Sequence, residues 1–122
     1  MFVKRTSLTY WWPVTVAMPS ADAPGTYDRQ TFHALFDTLD REEARKLDAE
    51  IRRAEATGDT SLHDGLLLRV VKNWKDVSEE GKPGEVAFSA AALQAYCAAM
   101  PWFRIGLYRA WQESQQGMLP GN

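Results

Sequence analysis

The sequence predicts an α+β fold, mostly helical, in which an N-terminal β-hairpin packs on a bundle of about four helices. Two observations carry this. Apolar residues recur at every second position as far as Phe36, and from Asp40 onward they recur at helical spacing. Strong turn signals separate the segments, at Pro19-Ser20-Ala21-Asp22-Ala23-Pro24-Gly25 and at Gly81-Lys82-Pro83-Gly84. At 122 residues, 45% of them hydrophobic and 25% charged, the chain fits one domain spanning 1–122, with loose ends at 1–9 and 117–122.

The hairpin is expected over about residues 10–37. Tyr10, Trp12, Val14, Val16 and Met18 alternate in the first strand. Pro13 interrupts them, which restricts the strand to a sheet edge or delays its start to Val14. In the second strand Phe32, Ala34 and Phe36 share one side, and Thr31, His33 and Leu35 the other. A hairpin alone is marginal in water, so one face must pack on the helices or on a partner.

The first helix is expected near 40–57. Asp40 followed by Glu43 forms a capping-box pattern, and Gly58 is placed for a left-handed C-terminal cap. Its apolar stripe is narrow (Ala44, Leu47, Ile51, Ala54) and its other faces are charged, so it is a surface helix. Asp59 or Thr60 opens a second helix near 61–75. There Leu67, Val70, Val71 and Trp74 follow the spacing of a buried face. A charged loop, Ser78 to Glu85, comes next. Ser89 caps a third helix near 89–100, with Leu93, Tyr96, Cys97 and Met100 on one face. Pro101 restarts the chain as a fourth helix, 101–116, ended by Gly117. Trp74 and Phe88 bracket the charged loop between two helices as structural anchors.

Composition excludes several function classes. The net charge of −2 is a poor match for nucleic acid. No apolar run is long enough for a membrane span, and no secretory signal pattern opens the chain. One cysteine, Cys97, makes no internal disulfide and fits a reducing cytoplasm; on an apolar helical face it reads as buried filler. One Cys and two distant His form no metal pattern, so no metal or cofactor is expected. His63-Asp64 is the one acid–base pair in sequence. It lacks a nucleophile motif, and His63 reads as a surface histidine in a first helical turn. No catalytic residue is assigned.

The aromatic residues carry the functional reading. Adjacent Trp11 and Trp12 on a strand must point to opposite faces. Trp102 and Phe103 on a helix differ in direction by about 100°. With Tyr108 and Trp111 they form a candidate partner-binding set, at least two of which are expected to be exposed.

The order of motifs resembles the small tail assembly chaperones of long-tailed bacteriophages and prophages. The resemblance rests on Tyr10-Trp11-Trp12-Pro13-Val14-Thr15-Val16 closing in Met18-Pro19, and on Thr31-Phe32-His33-Ala34-Leu35-Phe36. It continues through Val71-Lys72-Asn73-Trp74-Lys75-Asp76-Val77, the acidic Gly/Pro loop, and Ala87-Phe88-Ser89, spanning residues 10–111. It implies a soluble cytoplasmic protein, not an enzyme. Such a protein binds the tape-measure protein, and other tail proteins, during assembly and shields its apolar helices. Self-association is common in that group, as is a longer frameshifted form. No nucleic acid or membrane partner is implied. Two other classes fit the same composition: a small prophage regulatory or adaptor protein that binds a host protein, and a small enzyme using His63 and Asp64.

Overall fold

A computed structural model describes residues 1–59, 61–117, 119 and 120. Its elements run β1 (Thr9–Pro19), β2 (Tyr27–Asp37), α1 (Arg41–Glu55), α2 (Ser61–Val70), β3 (Val71–Lys75), α3 (Ala90–Ala99) and α4 (Pro101–Gln115). This is the α+β architecture expected, with the hairpin packed on helices. The expected loose end at 117–122 falls partly outside the described residues, at Met118, Gly121 and Asn122.

β1 and β2 pair antiparallel from Thr9↔Asp37 to Pro19↔Tyr27. The connecting turn is closed by Ser20 N–H to the Thr26 carbonyl at 2.9 Å, while Ser20 Oγ accepts from Ala23 N–H at 3.1 Å. Gly25 there adopts φ +82°, a conformation that glycine reaches without a side-chain clash. β1 lies at the edge of the sheet, which is how Pro13 is tolerated within a strand.

α1 begins as its sequence dictates. Asp40 accepts from Glu43 N–H at 2.8 Å. It ends in paired bonds, Asp59 N–H to Ala54 O at 3.0 Å and Gly58 N–H to Glu55 O at 2.9 Å, with Gly58 at φ +82°. That is the Schellman arrangement. Asp59 Oδ1 then accepts from Ser61 N–H at 2.9 Å, and this bond holds its carboxyl below the usual range. Thr60, the other expected start of the second helix, lies outside the described residues.

The second helix is shorter than its apolar spacing predicts. The helix expected to 75 stops at Val70, and Val71–Lys75 forms a third strand on β2. The cause is a β-bulge. Leu35 pairs with Asn73 but Phe36 with Val71, so two residues of β3 oppose one of β2. The extra residue, Lys72, turns Val71 and Trp74 to the same side, and both are buried. Their separation of three residues mimics a helical turn. Val70-Val71 and Trp74 are also strand-favouring side chains, which tips the local balance. The charged loop therefore links a strand to a helix, not two helices.

Ser89 caps α3, accepting from Ala92 N–H at 3.0 Å. Met100 is extended, and Pro101 opens α4. The core lies between the inner face of the sheet and these helices. Val14, Val16, Phe32, Ala34, Phe36 and Trp74 meet Leu67, Leu93, Leu107 and their neighbours. α4 runs antiparallel to β1. Phe103 stacks on Phe32, at 5.1 Å and 2° between planes, and Trp111 meets Phe36 edge-on at 5.5 Å. Midway, a Cβ on Gly106 would stand 2.7 Å from the Thr15 carbonyl oxygen, so only glycine permits this approach.

Candidate partner-binding surface

The two-residue period of the strands separates Trp11 from Trp12. Trp12 turns inward, half-buried against the core, with its ring 6.3 Å from Tyr10 in edge contact. Its Nε1 is buried with no protein partner among the described residues. Trp11 turns outward and is 40% exposed. It sits opposite Leu35, and Lys75 Nζ lies 4.3 Å from its ring centroid, a cation–π contact.

Around Trp11 the outer face of the sheet is continuous. Leu35 pairs with Trp11 and Asn73, and His33 pairs with Pro13 and Lys75. No outward-facing residue of β1, β2 or β3 is buried. The acids bordering this face are engaged: Asp76 Oδ2 lies 2.8 Å from His33 Nδ1, and Asp37 takes the Arg69 guanidinium at 3.0 Å. Asp76 holds φ +66°, a left-handed conformation uncommon outside glycine, and ends β3 there.

The helical aromatics divide differently. Trp102 is 40% exposed in the first turn of α4. Phe103 and Trp111 are core residues at 6% and 5% exposure, which removes them from the candidate partner-binding set in the folded subunit. The signal that separates them was present in the sequence. Phe103, Leu107 and Trp111 recur every four residues, and Gly106 and Ala110 are the small pair that lets this stripe approach β1. Trp11 and Trp102 form no ring contact among the described residues.

Tyr108 is half-buried. His63 stacks on it with centroids 4.4 Å apart, and His63 Nε2 lies 2.7 Å from Glu55 Oε1. The His63 side chain is only 13% exposed, so it is not a surface histidine. It ties the end of α1 to α2 and α4. Burial and the nearby Glu55 and Asp48 carboxylates push the Tyr108 hydroxyl pKa up. The cleft beside it is lined by Glu55, His63, Arg104, Tyr108, Arg109 and neighbours, with no Ser, Cys or Lys. Asp64 points elsewhere: its charge, after burial, helps push the Cys97 thiol up to about 11. Cys97 is buried, as its place on the helix implied.

The Trp74–Phe88 bracket is a physical contact. The rings meet edge-on at 5.2 Å, and Trp74 Nε1 donates to the Val86 carbonyl at 2.8 Å. Tyr96 and Phe103 complete the cluster around Trp74. The acidic loop is pinned to it: Tyr96 OH donates to Glu79 Oε1 at 2.6 Å, and Lys82 Nζ lies 2.9 Å from Glu79 Oε2. Lys82 and Tyr96 hold the Glu79 carboxyl below its usual range, while burial and Glu79 push the Tyr96 phenol up to about 12.

Among the described residues no group of His, Cys, Asp or Glu is arranged to hold a metal ion, and no helix is long and apolar enough to cross a membrane. Compared with known protein families, curated proteins and solved structures, the chain matches none.

Proposed function

We propose that this chain is a non-catalytic tail assembly chaperone of a long-tailed bacteriophage or prophage. It acts in the cytoplasm of the bacterial host, where it binds the tape-measure protein and keeps that client soluble while the tail is built. The reading is supported by the resemblance of residues 10–111 and, above all, by one observation. The inner side of the sheet is packed on the core, while its outer side has no buried residue and presents Trp11, 40% exposed, on the edge strand β1.

A holdase needs apolar surface displayed on a scaffold that does not depend on that surface for stability. Trp11 and Leu35 supply the apolar centre, and Lys75, Arg29 and Thr31 on the same face supply a polar surround. An aromatic anchor within a polar rim is the usual anatomy of a binding hot spot. The charged α1 and the acidic loop keep the loaded complex in solution.

The test is co-expression with the tape-measure protein encoded beside this gene. The client is expected in the soluble fraction with the parent chain, and in the pellet with Trp11→Glu, whose melting temperature stays at the parent value. A client that stays insoluble with the parent chain overturns the function. A client kept soluble by Trp11→Glu moves the binding surface away from the sheet.

A further inference from the structure

The ladder pattern shows which way each strand residue of the hairpin aims its backbone. Ser20 N–H donates to the Thr26 carbonyl and Thr38 N–H to the Leu8 carbonyl, both in the register of the β1–β2 pairs. Even-numbered residues of β2 therefore aim N–H and C=O at β1, and odd-numbered residues aim theirs away from it. β3 answers the odd residues only in part, because it pairs with His33 to Phe36 and no further. Beyond Lys75, Asp76 at φ +66° takes the chain out of the ladder and Val77 turns into the core. Tyr27, Arg29 and Thr31 keep N–H and C=O groups that no other backbone segment among the described residues pairs. The whole stretch from Tyr27 to Thr31 is exposed.

The other two edges of the sheet are covered. α4 lies on the free side of β1, so close that a Cβ on Gly106 would meet the Thr15 carbonyl oxygen. β3 blunts its own free side, where Asn73 Oδ1 accepts from Trp74 N–H at 2.8 Å. An uncovered strand edge is a template for another strand, and this sheet leaves one such stretch.

A cleft of about 180 Å³ opens beside that stretch, on the inner side of the sheet. Phe32 and Val77 line it together with Met18, Tyr96 and Met100. A strand laid along β2 would turn alternate side chains to this side. Two methionines make the wall adaptable to an inserted side chain. Asp28 stands on the same side of β2 as Phe32, exposed and in no ion pair among the described residues.

We propose that an extended segment of another protein adds to the sheet along Tyr27–Thr31, antiparallel to β2 and in line with β3. Its backbone pairs with Tyr27, Arg29 and Thr31. Opposite Gln30 it places one apolar side chain in the cleft, and two residues on, opposite Asp28, a lysine or arginine. Main-chain bonds supply the affinity, and the cleft and Asp28 supply the choice of sequence. The site uses neither Trp11 nor the outer face of the sheet. It goes beyond the proposed client surface, and Trp11→Glu is expected to bind the segment as the parent does.

Fluorescence anisotropy of the full chain tests this with a labelled peptide of threonines and serines that carries one leucine and, two residues on, an arginine. Saturable binding is expected. N-methylation of the residue between leucine and arginine blocks a bond to β2 and is expected to abolish binding, whereas N-methylation of the leucine leaves it intact. Arg29→Pro removes an N–H that the subunit does not use, so the variant keeps the parent melting temperature and loses the peptide. Asp28→Lys is expected to weaken binding on the order of tenfold, and a peptide with glutamate in place of arginine restores it. A parent chain that shows no saturable binding overturns the proposal. So does binding that survives Arg29→Pro or the methylation that faces β2. Sedimentation velocity supplies a further outcome: a parent chain that dimerises, with Arg29→Pro monomeric, puts a second copy on this edge and also overturns it.

Discussion

On its inner face the sheet buries Val14, Val16, Phe32, Ala34, Phe36 and Trp74, each at 6% exposure or less; on its outer face Trp11 stands 40% exposed beside Leu35 and His33. The two faces share strands, register and much of their chemistry. Trp11 and Trp12 are chemically identical neighbours, yet one contributes to the core and the other meets solvent. The difference is one of burial: inner rings pack in the core, while Trp11 meets solvent and the Lys75 ammonium. Substitutions should therefore sort by face, with stability lost on one side and partner binding on the other.

The largest expected effect is at Trp74. Trp74→Ala removes edge and tilted contacts to Phe88, Tyr96 and Phe103 and strands the Val86 carbonyl. It should cost about 3–5 kcal/mol, read from urea unfolding. Gly106→Ala comes next. Its methyl would press on the Thr15 carbonyl, which is backbone and cannot rotate away, so a loss of about 1–3 kcal/mol is expected by the same measurement. Asp40→Ala should cost about 1 kcal/mol by uncapping α1.

Trp11→Ala should fall within about 0.5 kcal/mol of the parent, because its side chain packs on no core and its contact with Lys75 is solvated. Equal losses from Trp11→Ala and Trp74→Ala would erase the distinction between the faces. The smallest effect concerns the acidic loop. The Glu79 carboxyl titrates below its ordinary value in the folded chain, because Lys82 and Tyr96 hydrogen-bond its charged form. Its contribution is therefore complete above the ordinary value and lost as the pH falls through the lower, folded one. Glu79→Gln should lower the melting temperature slightly at neutral pH and leave the acid end of a series of thermal melts unchanged, which flattens the acid limb.

The hairpin, the caps and the breaks were legible because each rests on local chemistry. Asp40, Gly58, Ser89 and Pro101 act on the backbone beside them, and the structure uses all four. β3 was not legible, because its bulge gives Val71 and Trp74 a spacing that a helix shares. Only pairing with β2, more than thirty residues away, distinguishes the two. At the candidate surface the opposed pair Trp11 and Trp12 followed from strand geometry alone. Phe103 and Trp111 are marked as core only by the four-residue recurrence they share with Leu107, a signal masked because a helix that contacts a sheet, two helices and solvent distributes apolar residues around most of its circumference. His63 was misjudged for a related reason: Tyr108, which covers it, comes from a different helix.

The chain of hydrogen bonds at Tyr10 sets an order of events during synthesis. Tyr10 OH lies 2.8 Å from Ser114 Oγ and accepts from Gln115 Nε2 at 2.7 Å, while Ser114 Oγ donates to the Trp111 carbonyl. β1 thus waits for α4, which is synthesised some ninety residues after it, before its inner face is covered. Contacts this distant in sequence close late and slow the approach to the folded state. Until then the nascent hairpin exposes Val14, Val16 and Phe32 as well as Trp11, a span in which it is open to misassociation. A protein proposed to shelter another chain spends its own synthesis in need of the same shelter, and lowering the growth temperature should raise its soluble yield more than stabilising its helices would.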